Sequence, residues 1–144
     1  MTFIKLTTSA CALVLTLSAL PADAGSNRVL IEQLGRDNAA ALAQSGHRQR
    51  VTITQRGRAN LSLNTQDGAR NRVVVGQSGC NNLSDTAQGG RRNIAGVAQF
   101  GCHNDATVSQ AGRRNAVGVI QAGRGNTATT SQRGTGNVAV IIQD

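Results

Sequence analysis

The chain has 144 residues, 15 Lys and Arg against 7 Asp and Glu, a formal net charge of +8, and two aromatic residues, both Phe. So few large side chains exclude an ordinary globular core, so stability has to come from backbone ladders and many small repeated contacts. The basic balance permits binding to acidic polymers or surfaces without identifying one.

Residues 1–24 read as a secretory leader. Lys5 supplies the positive start, Leu6 to Leu20 the apolar stretch, and Ala22, Asp23 and Ala24 the small-x-small cleavage site. The apolar stretch is shorter than the roughly 20 residues a spanning helix needs, so no stable membrane span is expected. Cys11 lies early in that stretch without a lipoprotein-like cleavage site around it. Residues 25–144 are expected to form one domain. They carry fourteen Arg, no Lys and six acids, and Phe100 is their only aromatic residue.

From Gln33 onward Gln recurs every eleven residues: Gln33, Gln44, Gln55, Gln66, Gln77, Gln88, Gln99, Gln110, Gln121, Gln132 and Gln143. Two places after each of the first ten stands a Gly, from Gly35 to Gly134. Five places after stands an Asn: Asn38, Asn60, Asn71, Asn82, Asn93, Asn104, Asn115, Asn126 and Asn137, with Gln49 as the single replacement. Asn27 opens the series. So strict a period means stacked identical units.

Each unit alternates as a strand does over seven residues from Asn to Gln, beginning with Asn27–Gln33 and ending with Asn137–Gln143. Eleven strands and ten turns follow, with Gly at a turn position that suits positive φ. An antiparallel meander and a solenoid with 22-residue rungs both fit the period of eleven. Odd and even strands differ, which favours the solenoid. The odd set points Val29 and Ile31, Val51 and Ile53, Val73 and Val75, Ala95 and Val97, Val117 and Val119, Ala139 and Ile141 inward. The even set is smaller and more polar: Ala40 and Leu42, Ser62 and Asn64, Ser84 and Thr86, Ala106 and Val108, Ala128 and Thr130. The expected fold is therefore an all-β, parallel two-sheet β-solenoid, one sheet lined by β-branched residues and the other by small ones. Asn then stacks on Asn and Gln on Gln at the cross-β spacing of about 4.8 Å, where their amides can donate and accept along the stack. Ser62, Asn64, Ser84 and Thr86 inward, with Leu61, Leu63 and Leu83 outward, predict a local distortion.

A closed solenoid protects its ends with caps, and the repeats here leave no room for them. Both end strands are expected to offer backbone donors and acceptors to further subunits.

The turns fall on two edges. On one, Arg48, Arg70, Arg92 and Arg114 are 22 residues apart and form a column, with Arg91 and Arg113 beside it. Arg28, Arg50 and Arg72 form a second column on an outer sheet face. Like charges at this spacing repel by about 1 kcal/mol per pair even in water. An anionic partner (acidic polysaccharide, lipopolysaccharide or extracellular DNA) relieves that; so does a solvated edge that keeps chains apart. On the other edge Cys80 and Cys102 hold the same turn position one rung apart, within disulfide range, and secretion supplies the oxidant. With His103 they fall short of the four ligands a zinc centre needs.

No metal, cofactor or catalytic constellation is indicated. His47 and His103 fall on opposite edges, the acids are scattered, and the glycines punctuate turns with no helix following. An enzyme is not expected. The class outside fibre proteins that fits is a soluble secreted solenoid that binds an anionic glycan or nucleic acid through its Arg columns.

The repeat resembles the curlin repeat of curli fibre subunits, a pattern close to Ser-x5-Gln-x-Gly-x-x-Asn-x-Ala-x3-Gln. Gln33, Gly35, Asn38, Ala40 and Gln44 match it from its first Gln, and Gln121, Gly123, Asn126, Ala128 and Gln132 match it again. The resemblance spans essentially all of residues 25–144. It implies a secreted subunit that polymerises with its own copies and other curlin subunits into functional amyloid outside a bacterial cell, supporting biofilm and adhesion. The basic balance leans toward the minor, nucleating type of subunit. Three departures stand out. Asn usually replaces the initial Ser, only Gly25 and Ser26 separate leader from repeats, and the aromatics of the best-known curlins are absent.

Overall fold

The computed structural model describes residues 26–144 throughout, together with the backbone strands Phe3–Leu6 and Leu13–Thr16. Thirteen strands follow one another: β1 (Phe3–Leu6), β2 (Leu13–Thr16), β3 (Arg28–Arg36), β4 (Ala39–His47), β5 (Arg50–Arg58), β6 (Leu61–Ala69), β7 (Arg72–Cys80), β8 (Leu83–Arg91), β9 (Ile94–Cys102), β10 (Asp105–Arg113), β11 (Ala116–Arg124), β12 (Thr127–Thr135) and β13 (Val138–Gln143). Odd strands make one sheet in the order β1-β3-β5-β7-β9-β11-β13 and even strands the other, β12-β10-β8-β6-β4-β2. All pairing is parallel. Val51 lies between Val29 and Val73, and Gln88 between Gln66 and Gln110, each partner 22 residues away. Sequential strands therefore sit in opposite sheets, not in hairpins, and β3 to β13 complete about five turns of a parallel β-solenoid.

The inner faces are those the alternation predicts. Val51, Ile53, Val73, Val75 and Val119 are buried from the odd sheet, and Ala40, Leu42, Ala106 and Val108 from the even sheet. Val29, Ala139 and Ile141, at the two ends of the stack, are only partly covered. Ser62, Asn64, Ser84 and Thr86 are as deeply buried as their apolar counterparts, at 3% exposure or less. The expected distortion there is absent: β6 pairs with β4 and β8 over all nine residues without a bulge. Two continuous backbone ladders outweigh the local mispatterning. Asn64 Nδ2 donates to Ser62 Oγ at 2.9 Å, while Asn64 Oδ1, Ser84 Oγ and Thr86 Oγ1 stay buried without a partner, a cost the ladders carry.

Strand boundaries differ from the expected Asn-to-Gln segments. Each full strand starts one residue after the Asn and runs through the Gly to the residue beyond it. The bend is compressed into two kinds of residue. The Gly of every unit has φ between +100° and +124°, and the residue two places later is left-handed as well. Gly fills that second position only at Gly125 and Gly136; elsewhere it holds Asp37, Arg48, Ala59, Arg70, Asn81, Arg92, His103 and Arg114, with φ of 52° to 63°. Left-handed backbone costs an L-residue roughly 1–2 kcal/mol, so each turn without Gly at that position holds strain that the ladders on either side must overcome.

Most of the expected leader, residues 1–24, lies outside the described residues. Of that stretch β1 runs beside β3, with Phe3 opposite Leu30, and β2 beside β4, with Leu13 opposite Ala39. These offsets break the 22-residue period, so β1 and β2 continue the backbone ladder without continuing the repeat. In the full chain the first rung is therefore partly covered; the two open ends expected above are those of residues 25–144. No helix of the described residues is long and apolar enough to cross a membrane.

Candidate functional site

Two rows of glutamines run the length of the stack. In the odd row Gln33, Gln55, Gln77, Gln99, Gln121 and Gln143 are chained, each Nε2 donating to the next Oε1 at 2.6, 2.7, 2.8, 2.9 and 3.0 Å. In the even row Gln44, Gln66, Gln88, Gln110 and Gln132 do the same at 2.8, 2.9, 2.7 and 3.0 Å. The rows are not equivalent. Odd-row amides also donate across the bend to the opposite sheet, as Gln55 does to Ala39 O at 3.0 Å and Gln99 to Leu83 O at 2.8 Å. In the even row the glutamines bond only to one another.

The asparagines behave differently from the simple Asn-on-Asn ladder expected of them. Their Oδ1 accepts the backbone N–H of the residue one rung on at 3.0–3.1 Å, as Asn38 does from Asn60 and Asn104 from Asn126. Gln49, Asn82, Asn93, Asn104, Asn115 and Asn137 donate in the same way to Asn27, Asn60, Asn71, Asn82, Asn93 and Asn115. The Nδ2 donates to the carbonyl four residues back and to the Gly carbonyl of the next rung; for Asn60 these are Arg56 O at 3.3 Å and Gly79 O at 3.2 Å. Amide-to-amide bonds occur only at Asn60 to Asn38 and Asn82 to Asn60, both 3.0 Å. Asn is thus a clip across the left-handed bend, tying each turn to the next.

Gln49 shows why Asn is the right length. Its Nε2 reaches Ser45 O at 2.6 Å and Gly68 O at 3.2 Å, as an Asn would, but its Oε1 is buried without a partner. Gln49→Asn is expected to complete the column through Asn71 and add about 1 kcal/mol, seen as a higher urea midpoint; an unchanged or lower midpoint would contradict the clip.

Cys80 and Cys102 are opposite each other in the β7–β9 ladder, with Cα atoms 4.6 Å apart, and are joined by a disulfide. It closes a 22-residue loop, so its loss in a Cys80→Ser, Cys102→Ser chain is expected to lower stability by about 3 kcal/mol. A urea midpoint indifferent to reductant would contradict that. Both sulfurs being committed to the bond, neither is free for zinc, and no group of three or more His, Cys, Asp or Glu able to hold a metal occurs among the described residues.

On the opposite edge Arg48, Arg70, Arg92 and Arg114 take the left-handed position of successive turns. Their backbones are tied from rung to rung, Arg70 N to His47 O, Arg92 N to Ala69 O and Arg114 N to Arg91 O, each 3.0 Å. All are exposed, as are Arg91 and Arg113. Together Arg70, Arg91, Arg92, Arg113 and Arg114, with His47, Ala69 and Thr135, line a groove of about 390 Å³ that has no carboxylate in its wall. Arg48 lies outside it. Arg28, Arg50 and Arg72 face one another along the outside of the odd sheet. The left-handed turn position escaped the sequence reading, though its signal was there: Asp37, Asn81, Gly125 and Gly136 are the residue types that tolerate positive φ.

Two parallel sheets joined by glycine bends and threaded by glutamine rows define a cross-β solenoid built for stacking. Its repeats match the curlin associated repeat over residues 25–57, 50–79, 79–112 and 103–129, and the chain belongs to that family. A sequence comparison with curated proteins gives no match. Family and fold point to a structural, curli-like subunit in place of an enzyme.

Proposed function

We propose that the chain is the subunit of an extracellular curli-like amyloid fibre, released by removal of residues 1–24, passed through the periplasm and assembled at a bacterial surface, where it serves biofilm matrix and adhesion. One observation carries this reading: among the described residues no strand pairs with the outer edges of β12 and β13. Each offers a row of backbone donors and acceptors in register for another strand, the template on which cross-β growth proceeds. Both glutamine rows end there too, at Gln132 and Gln143, ready to continue into a further copy or another curlin subunit. The net charge of +8 favours the nucleating role within the family.

Purified residues 25–144 should form fibres with thioflavin fluorescence and a cross-β repeat near 4.8 Å, about the strand spacing. A persistent monomer would overturn the proposal. Seeding of a second curlin subunit by these fibres tests the nucleating role; no acceleration would assign the chain to the bulk of the fibre.

A second reading rests on the five guanidiniums of the arginine groove. They suit an anionic polymer lying along the edge: acidic polysaccharide, lipopolysaccharide or extracellular DNA. If the chain stays monomeric, saturable binding through this groove is its function; if it forms fibres, the groove is where they hold matrix polyanions. Binding should weaken steeply with salt and fall in an Arg92→Gln, Arg114→Gln chain. Binding indifferent to salt would exclude the electrostatic groove.

A further inference from the structure

The outward face of the odd sheet changes character halfway along the stack. From β3 to β7 it carries Arg28, Arg50, Arg72 and Arg56, with Glu32 as its one acid. From β9 to β13 the outward positions ahead of the glycine bend carry no charged or hydroxyl side chain; Arg124 stands beyond the bend, at the end of β11. Ile94, Phe100, Ile120, Val138, Val140 and Ile142 are all large and exposed there, at 41–74%. They sit in register: Ile94, Ala116 and Val138 form one ridge, Ala98, Ile120 and Ile142 another, and Gly96 and Gly118 lie in the valley between, which Val140 closes at β13.

Those two glycines have no role in the fold of the single chain. Neither has a left-handed φ, and a Cβ would stand 3.9 Å from Val117 O at Gly96 and 4.0 Å from Val140 Cγ2 at Gly118, ordinary contact distances. This separates them from the glycines of the bends, all at positive φ, of which the eight from Gly35 to Gly112 would drive a Cβ into the next rung's carbonyl. Glycine inside a strand weakens it, and marks a place where another backbone or body comes close.

We propose that this apolar face of β9, β11 and β13 is the surface on which two fibres of this chain pair side by side, the ridge of one seated in the Gly96–Gly118 valley of the other. The inference rests on the fibre reading above. Three strands about 4.8 Å apart, with four outward positions spread over about 20–25 Å, give a patch of roughly 300 Å² on each chain. That is well below the roughly 800 Å² per partner of a stable complex, so two single chains do not pair through it. A partner that repeats the same patch at the same interval gains from every copy at once, and another fibre of this chain is such a partner. The face has no polar side chain with which to hold a polar ligand, and its backbone groups are already used in the ladders. The Arg28, Arg50 and Arg72 column keeps the rest of the face apart, so pairing should increase with salt, which screens it. The arginine groove should respond to salt in the opposite sense.

The test compares fibres of residues 25–144 with those of a Gly96→Thr, Gly118→Thr chain and an Ile94→Thr, Ile120→Thr chain, by electron microscopy and thioflavin kinetics. The first fills the valley with a β-branched residue that suits a strand, and the second puts a hydroxyl in place of one apolar side chain in each ridge. Wild-type fibres should pair, increasingly so from low to high salt. Both variants should elongate within twofold of wild type yet remain single. Variant fibres that pair like wild type, or wild-type fibres that stay single, overturn the proposal and leave the fibre reading standing. Absence of wild-type fibres overturns both. Single wild-type fibres that bind neutral phosphatidylcholine vesicles, where both variants do not, would make the face a lipid surface and likewise overturn fibre pairing.

Discussion

A Gly57→Ala chain is expected to lose about 4 kcal/mol of stability, combining a backbone conformation that L-residues avoid with an overpacked contact. Gly57 has φ of +114°, and a Cβ added there would overlap the carbonyl oxygen of Gly79 and lie 2.9 Å from its carbon. Gly79 cannot retreat, because it faces Gly101 in the same way and both ladders fix the rung spacing. The turn would have to open, releasing the Asn60 clip on Gly79 O. The loss is comparable with the whole stability of many domains, so the rungs around it should melt, measured as a collapse of the urea midpoint. A midpoint within 1 kcal/mol of wild type, on the order of a surface substitution, would show that the glycine columns do not set the stacking. Gly134 provides the comparison. Its φ is +108°, but no rung lies above it, and an added Cβ would meet only Asn137 Nδ2, at 3.6 Å. Gly134→Ala should cost the single chain only the backbone strain, about 1–3 kcal/mol. A rung added to β12 by a second chain would restore the overlap. Small amounts of Gly134→Ala chain mixed with wild type should therefore halt the fibre ends they join, and undiminished growth would place elongation elsewhere.

Two numbers, eleven and twenty-two, made the architecture legible. Glutamine at every eleventh position located the strands. The contrast between Val51 with Ile53 and Ser62 with Asn64 assigned alternate strands to different sheets, and simple counting put Cys80 opposite Cys102 and Arg70 opposite Arg92. What counting could not supply was direction within the bend. The asparagine amide looks like the glutamine amide in a sequence, yet one sits in a strand facing its equivalent while the other sits beside a left-handed residue, where backbone carbonyls and the next rung's N–H are also within reach. The distortion expected around Leu61 to Thr86 is absent because two unbroken nine-residue ladders hold β6 in place whatever its side-chain pattern. The groove between Arg70 and Arg114 depends on side-chain splay, which no spacing encodes. The apolar half of the outer odd face was present as Ile94, Ile120 and Ile142, but it becomes a patch only when strands 22 residues apart lie side by side.

The even glutamine row should be the more fragile of the two, and Gln88→Ala the substitution that shows it. Gln88 is 2% exposed; it accepts from Gln66 Nε2 at 2.9 Å and donates to Gln110 Oε1 at 2.7 Å. Gln66 has no other acceptor for its amide, and Gln110 no other donor to its oxygen, so removing Gln88 strands a buried group on each side. At about 1–3 kcal/mol for each stranded group, with a cavity besides, the expected loss is near 4 kcal/mol. In the odd row the same deletion is cushioned. Gln77 would keep Leu61 O at 3.0 Å and Asn82 O at 3.1 Å if Gln99 were lost, and only Gln121 Oε1 would be stranded. Gln99→Ala should therefore cost less than Gln88→Ala despite removing more bonds. Gln88→Leu separates amide from volume: it fills the space but leaves both neighbours stranded, so it should recover little. Urea midpoints of the three chains decide the matter. Full recovery by Leu would mean that the rows act as packing alone, and that their unbroken spacing reflects shape rather than hydrogen bonding.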